Sequence, residues 1–182
     1  MLGLSTAGAD RLSPVRLTIT VLNACVGVLF LVRSAVIRHG ALSAIVLALP
    51  SFVVAGASFK LAPAGHLWPA RANATLVAGA TLAIVALLSL GRSFAILPAV
   101  RRIVRGGPYA LVRHPAYLGE LAMVAGCCLA HQPLEIWHFW PLAAAVPMVV
   151  LRVLVEEHVL VTADEYRTYT RKVRWRLLPG LW

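Results

Sequence analysis

The chain has 182 residues, 60% of them hydrophobic and 13% charged, with a mean hydropathy of +0.81. A soluble domain carries about 25% charged and about 45–50% apolar residues, so much of this apolar surface has no interior to occupy and must face lipid. The net charge of +10 comes from 17 Lys+Arg against 7 Asp+Glu. These charges fall between hydrophobic segments rather than on one soluble face, which argues against nucleic acid and for basic loops drawn to anionic headgroups.

Five hydrophobic segments follow in chain order. The first runs over about Leu17–Val32, framed by Arg16 and Arg33. No short basic-then-apolar leader with a small-residue cleavage site precedes it, so it is expected to be retained. The second, about Ala41–Phe59, contains Pro50, which is expected to kink it. The third, Ala72–Leu90, has no charge at all. The fourth, Pro115–Ala130, is shorter and carries Glu120. The fifth, Phe139–Val161, is interrupted chemically by Arg152, Glu156 and Glu157. Cys25, Cys127 and Cys128 lie inside these segments without a CxxC spacing and read as packing residues. His39, His66, His131 and His138 are scattered through loops, so no metal site is expected.

These segments predict an all-α, polytopic membrane bundle of about five transmembrane helices. Residues 1–90 supply N-terminal membrane helices. Residues 91–182 supply a loop, a membrane hairpin and a tail, the whole forming one compact membrane domain. The basic residues set the expected orientation. Arg92, Arg101, Arg102, Arg105 and Arg113 fall on the same side as the tail residues Arg167, Arg171, Lys172, Arg174 and Arg176, which makes that side cytoplasmic. Asp164–Lys172 is expected to form a short amphipathic helix with Tyr166 and Tyr169 on one face, stopped by Pro179 and Gly180.

The most informative loop is Gly106-Gly107-Pro108-Tyr109-Ala110-Leu111-Val112-Arg113-His114-Pro115-Ala116-Tyr117-Leu118-Gly119-Glu120. The glycines permit a tight backbone. Pro115 disfavours a helix before it and suits the first turn of one after it. His114 therefore stands at a helix start, where free N–H groups and the positive dipole end attract an anionic group such as a bound carboxylate. The competing reading is a loop that merely re-enters the membrane.

In the fifth segment Arg152 and Glu156 are four residues apart and share a helix face. A charge near the bilayer centre costs about 2.5–3.5 kcal/mol on insertion scales, so such residues are functional candidates. The plain alternative is the snorkelling end of a span. That end needs one basic residue, whereas this segment adds an adjacent pair of carboxylates. Glu120 is read as facing a pocket or pairing with Arg113.

Gly107-Pro108-Tyr109, followed by Arg113-His114-Pro115-Ala116-Tyr117-Leu118-Gly119, resembles the cofactor motif of the isoprenylcysteine carboxyl methyltransferase family. Arg152, Glu156-Glu157 and Leu160 resemble that family's C-terminal signature, together with Asp164-Glu165-Tyr166, Tyr169, Arg171, Val173 and Leu178-Pro179. The resemblance covers about Leu90–Gly180. It implies an integral-membrane enzyme that transfers a methyl group from S-adenosyl-L-methionine (SAM) to a hydrophobic or lipid-like acceptor, a prenylated cysteine carboxylate being the family's named example. It also implies that Arg101, Arg102, Ile103 and Val104 line the cofactor and that Tyr109 packs on it. His114, Pro115, Ala116 and Tyr117 would close over it, with Glu157 as a cofactor neighbour. Arg152 and Glu156 would be the substrate-side catalytic pair. Where the family commonly carries a polar residue near Phe94, this sequence offers only Ser93.

The same resemblance leaves two acceptor chemistries open. A carboxylate would need no base and would be held by Arg152, with Glu156 fixing the arginine. An amine, phenol or thiol would use Glu156 as general base. Two other readings compete. Membrane sterol or steroid reductases, which use NADPH, share an Arg-His-Pro-x-Tyr-x-Gly-Glu stretch that Arg113–Glu120 satisfies, but the Glu156-Glu157 pair and the tail fit the methyltransferase pattern better. A non-enzymatic scaffold or small transporter explains the hydrophobicity but neither motif. The Ala-, Val- and Arg-rich composition points to a bacterial source, and so to the inner membrane with the cofactor site facing the cytoplasm.

Overall fold

A computed structural model describes residues 13–32, 38–39, 42–93, 99–100 and 103–182. The described residues form six α-helices: α1 (Pro14–Val32), α2 (Leu42–Leu61), α3 (Ala70–Leu90), α4 (Pro115–Leu129), α5 (Trp140–Leu160) and α6 (Asp164–Lys172). The only sheet among the described residues is a two-residue antiparallel pairing of β1 (Arg38–His39) with β2 (Ala99–Val100). The fold is therefore helical, as expected. Among the described residues, three stretches are long and apolar enough to cross a membrane by length and composition: Pro14–Val32, Ala70–Ser93 and Ile136–Leu160. Leu49–Leu61 within α2, and α4, are shorter apolar helices. Pro50 lies inside α2. The protein is an integral membrane protein.

Between membrane helices the hydrophobic effect supplies little drive, so close backbone packing and interhelical polar contacts must hold the bundle. The α3–α4 contact shows how. α3 buries Ala72, Leu76, Gly79, Ala80, Ala83 and Ala86 on one face. Gly119 of α4 sits so close that a Cβ there would lie 2.6 Å from the Gly79 carbonyl oxygen and 2.8 Å from Ala83 N. Two turns on, a Cβ at Gly126 would meet Leu76 N at 3.0 Å. Small residues on both helices are what allow this approach. α1 adds Val15, Ile19 and Leu22 to the same core, while α2 packs against α5.

Trp68 and Asn73 fix the entry to α3. The Trp68 indole N–H donates to the Pro63 carbonyl at 2.8 Å, and the Asn73 amide donates to the Trp68 carbonyl at 3.0 Å. At the other end of the bundle, a 3-10 turn at Gly107–Ala110 leads into α4. Gly107 has φ +60, a conformation that favours glycine, and a Cβ there would meet Ser89 Oγ at 2.9 Å. α6 carries Asp164 and Glu165 in its first turn and Arg171 and Lys172 in its last, matching the helix dipole. It buries Tyr166 and Tyr169 against Ile103 and Leu160.

Candidate functional site

His114 is the N-cap of α4 and Pro115 its first residue. The chain ahead of this helix is pinned by the tail: Arg113 N–H donates to the Trp175 carbonyl and His114 N–H to the Arg176 carbonyl, both at 2.9 Å. A third tie comes from the Tyr169 hydroxyl, which donates to the Tyr109 carbonyl at 2.7 Å. Tyr109 and Tyr169 are both buried. Burial pushes the Tyr169 phenol up to about 12. Burial, reinforced by the Glu156 charge, drives the Tyr109 phenol upward as well. Both are therefore neutral hydrogen-bonding groups at physiological pH.

Glu157 is the centre of this region. One oxygen, Oε1, accepts from Arg113 Nη1 at 2.7 Å and from the Tyr166 hydroxyl at 3.2 Å. His114 Nε2 lies 3.2 Å from the same oxygen, and an ionised carboxylate can only accept, so the ring is the donor there. The second oxygen, Oε2, accepts from Arg176 Nε at 2.9 Å. Four side chains from the loop, α6 and the tail thus converge on one carboxylate of α5. Arg113 also donates to the Arg174 carbonyl at 2.7 Å.

The second cluster lies one turn earlier on α5. Arg152 is 5% exposed, so this residue does not snorkel to the bundle's end. Its Nη1 donates to Ser51 Oγ of α2 at 3.2 Å and reaches Glu120 Oε2 of α4 at 3.3 Å. Its guanidinium stacks over the Tyr117 ring, 4.3 Å from the centroid. The Tyr117 hydroxyl donates a short hydrogen bond to Glu156 Oε2, and the Tyr117 ring stacks on His114 at 5.5 Å between centroids. Glu120 faces the pocket, and its ion pair is with Arg152 rather than Arg113. The carboxylate described against Arg152 is Glu120, and Tyr117 links Arg152 to Glu156.

Both clusters border a cavity of about 490 Å³, within the range of small-molecule sites. Ile103, Val104, Tyr109, His114, Ala116, Tyr117, Arg152 and Glu156 all line it, as do Arg113 and Glu120. Ser93, the polar residue offered in place of one near Phe94, lines it too. Pro115 is fully buried and, like Glu157, is not among the lining residues. Arg101, Arg102 and Phe94 lie outside the described residues. The opposite walls are mostly apolar, built from Ile19, Leu22 and Val26 of α1, Phe59 of α2, and Ala83 and Leu87 of α3, with Asn23 of α1 the polar exception. Among the described residues, no group of three or more His, Cys, Asp or Glu side chains is placed to hold a metal ion.

Sequence reasoning missed Ser51, Tyr166 and Arg176 as partners of the charged residues. Ser51 follows a proline in an apolar run and gives no local signal. Tyr166 stood in the recognised tail pattern and Arg176 among the basic residues of the tail, but nothing in their spacing names a partner.

A membrane-embedded helical bundle with a charged, aromatic cleft at one end of an apolar cavity is the class that fold and site define. The family model for isoprenylcysteine carboxyl methyltransferases (the ICMT family) matches residues 72–162, and the chain belongs to that family. The matched stretch includes most of α3, the loop, α4 and the Arg152–Glu157 segment, and ends before α6. The protein is thus a membrane methyltransferase. Among curated proteins there is no match.

Proposed function

We propose that this protein transfers a methyl group from SAM to a hydrophobic, lipid-like acceptor drawn from the bilayer. One observation carries the reading: a single cavity joins the His114 helix start to the Arg152–Glu156 cluster, and its other walls are mostly apolar residues of α1, α2 and α3, with Asn23 of α1 the polar exception.

The residues present fit the cofactor. Arg113 lines the cavity, and its Nε is buried with no hydrogen-bond partner among the described residues. A cation with a spare donor beside the first turn of α4 suits the carboxylate of an amino-acid moiety. Tyr109 offers a ring for packing, and Ile103, Val104, Ala116 and Tyr117 enclose the same space. Arg101 and Arg102 are assigned to cofactor binding by the family resemblance. Pro115 shapes the helix start. Glu157 acts through the groups it holds, His114 and Arg113.

Bound SAM supplies an electrophilic methyl group on a sulfonium, and positioning then provides much of the rate. Arg152 and Glu156 are the residues assigned to the acceptor. Tyr117 fixes both, by its ring and its hydroxyl. The aliphatic walls hold the acceptor's apolar body, and the family's name makes a prenylated cysteine carboxylate one example of such an acceptor.

In this reading α2 and α4 complete a bundle of about five membrane helices. The same reading puts the SAM site on the cytoplasmic side of a bacterial inner membrane, and the basic residues of the loop and tail support it.

Calorimetric titration of the detergent-purified protein with SAM and, separately, NADPH tests the assignment. SAM binding that is lost in His114→Ala, with no NADPH binding, is expected. NADPH binding without SAM would move the protein to the reductase reading that Arg113–Glu120 also satisfies.

A further inference from the structure

One polar side chain stands in the otherwise apolar α1 wall of the cavity. Ile19, Leu22, Asn23 and Val26 all line it, and their spacing of i, i+3, i+4 and i+7 puts them on one helix face. Asn23 therefore lies within the stripe that α1 turns toward the acceptor chamber. Thr18 and Thr20, its polar neighbours in sequence, do not line the cavity.

The chain's other asparagine shows how such a side chain is satisfied inside the bundle. Asn73 donates its amide to the Trp68 carbonyl at 3.0 Å. The Asn23 carboxamide makes no such contact among the described residues. An amide among apolar side chains is unfavourable unless it finds a hydrogen bond. The face that carries Asn23 is turned to the cavity, so a bound molecule is what can supply one.

The depth of Asn23 matches that of the charged cluster. α1 begins beside Gly65, where a Cβ would meet Ser13 Oγ at 2.7 Å and Val15 Cβ at 3.1 Å. It also touches the turn Gly91–Ser93 that follows α3, so the two helices run side by side in the same direction. Asn23 is the middle residue of α1, and Ala80 the middle residue of α3. Gly119 of α4 packs against Gly79 and Ala83, on either side of that level. Glu120, next to Gly119, reaches Arg152 at 3.3 Å. A group bonded to Asn23 is accordingly near the reacting end of the acceptor and not at the far end of its tail.

We propose, on the basis of the SAM-dependent reading above, that Asn23 sets acceptor specificity by hydrogen-bonding a second polar group, separate from the atom that is methylated. A carboxamide both donates and accepts. The group it suits is an amide, carbonyl or hydroxyl carried on the apolar chain close to the head. Asn23 takes no part in methyl transfer itself, and its contact is compatible with a carboxylate held by Arg152 at the reacting position.

The test uses two probes, N-acetyl-S-geranylcysteine and 3-(geranylthio)propanoate, with the full chain in detergent. They share the isoprenoid chain, the thioether and the carboxylate, and differ by one acetamido group. Binding is measured by calorimetric titration of protein saturated with S-adenosylhomocysteine. The wild type is expected to bind the acetamido probe about three- to tenfold more tightly, the usual effect of one net hydrogen bond. Asn23→Leu, which keeps the size and removes the amide, should abolish that preference, and Asn23→Ala should do the same. A wild type that binds both probes equally, prefers the propanoate or binds neither overturns the proposal whether or not the variants fold. An unchanged ratio in either variant that still binds SAM overturns it too. A shifted elution volume with an unchanged ratio would assign Asn23 to contact between copies of the chain instead. Failure of the broader SAM reading shows itself separately, as absence of SAM binding in the wild type.

Discussion

Arg113 and Glu157 meet at 2.7 Å, with each side chain only about one-tenth exposed, at 10% and 11%. The contact joins the residue before the α4 cap to the last third of α5. Because His114, Tyr166 and Arg176 share the same carboxylate, the loop, α6 and the tail are positioned by one side chain.

Removing that carboxylate should cost much of the protein's stability. Breaking a buried ion pair from one side costs about 3–5 kcal/mol, because the remaining charges stay buried without compensation. Glu157→Ala is expected to lose about that much, read as a lowered unfolding midpoint in detergent, and to weaken SAM binding. A midpoint equal to the wild type would show that the converging arginines find another anion or water.

The α3–α4 contact makes a steric prediction with its own control. Gly119→Ala forces a methyl group to within 2.6 Å of the Gly79 carbonyl. Overpacking of this kind costs about 1–3 kcal/mol. Gly27→Ala in α1 meets nothing within 4 Å and should change stability by no more than about 1 kcal/mol, in the favourable direction. Thermal unfolding of both variants in one detergent compares them, and equal midpoints would contradict the close approach.

Tyr169 predicts an alkaline limit. Its phenol ionises at about 12 in the folded chain and at about 10 when unfolded. The neutral form is the one the fold favours. Its contribution is therefore complete below about pH 10 and is lost as pH rises toward 12. Tyr169→Phe should be less stable at pH 8, where the hydrogen bond to the Tyr109 carbonyl is missing. It should also show a shallower decline between pH 10 and 12 than the wild type. Identical pH profiles for the two proteins would remove Tyr169 from the alkaline transition.

Arg152→Gln separates binding from chemistry. SAM affinity should be unchanged, because the SAM-side groups Arg113, His114 and Tyr109 are left in place. Turnover should fall by about 10²–10³-fold, the usual effect of losing one preorganised electrostatic donor. Retained turnover would take the substrate-side role away from Arg152.

Hydropathy made the helices legible. The expected segments Ala72–Leu90 and Pro115–Ala130 became Ala70–Leu90 and Pro115–Leu129, since each is a continuous apolar run bounded by proline, glycine or charge. The tail helix occupies Asp164–Lys172, as its tyrosine spacing indicated. Membrane crossing was harder to read, because α4 is short and the described residues include three stretches of spanning length and composition. The loop motif pointed to His114 and Tyr117, which the fold brings to one cavity with Arg152 and Glu156. The pairings stayed hidden. Ser51 reaches Arg152 across 101 residues of sequence, and which face of α2 meets α5 is a property of helix packing that no local periodicity encodes. The Glu120–Arg152 contact was obscured for the same reason: Arg113 was the nearer arginine in sequence but not in space.

Gly119 lying against Gly79 locks α3 and α4 together beside the cavity. The α3–α4 side admits no larger residue at its crossing and keeps the charged end in register. Gly56 of α2, by contrast, lines the cavity with open space around it, and α1 contributes Val26 beyond the residues that it packs into the core. New side chains on α1 and α2 can therefore reshape the apolar chamber without moving Arg152, Glu156 or the loop. A single chemical centre could in this way be fitted to acceptors of different length and bulk through changes in two helices alone.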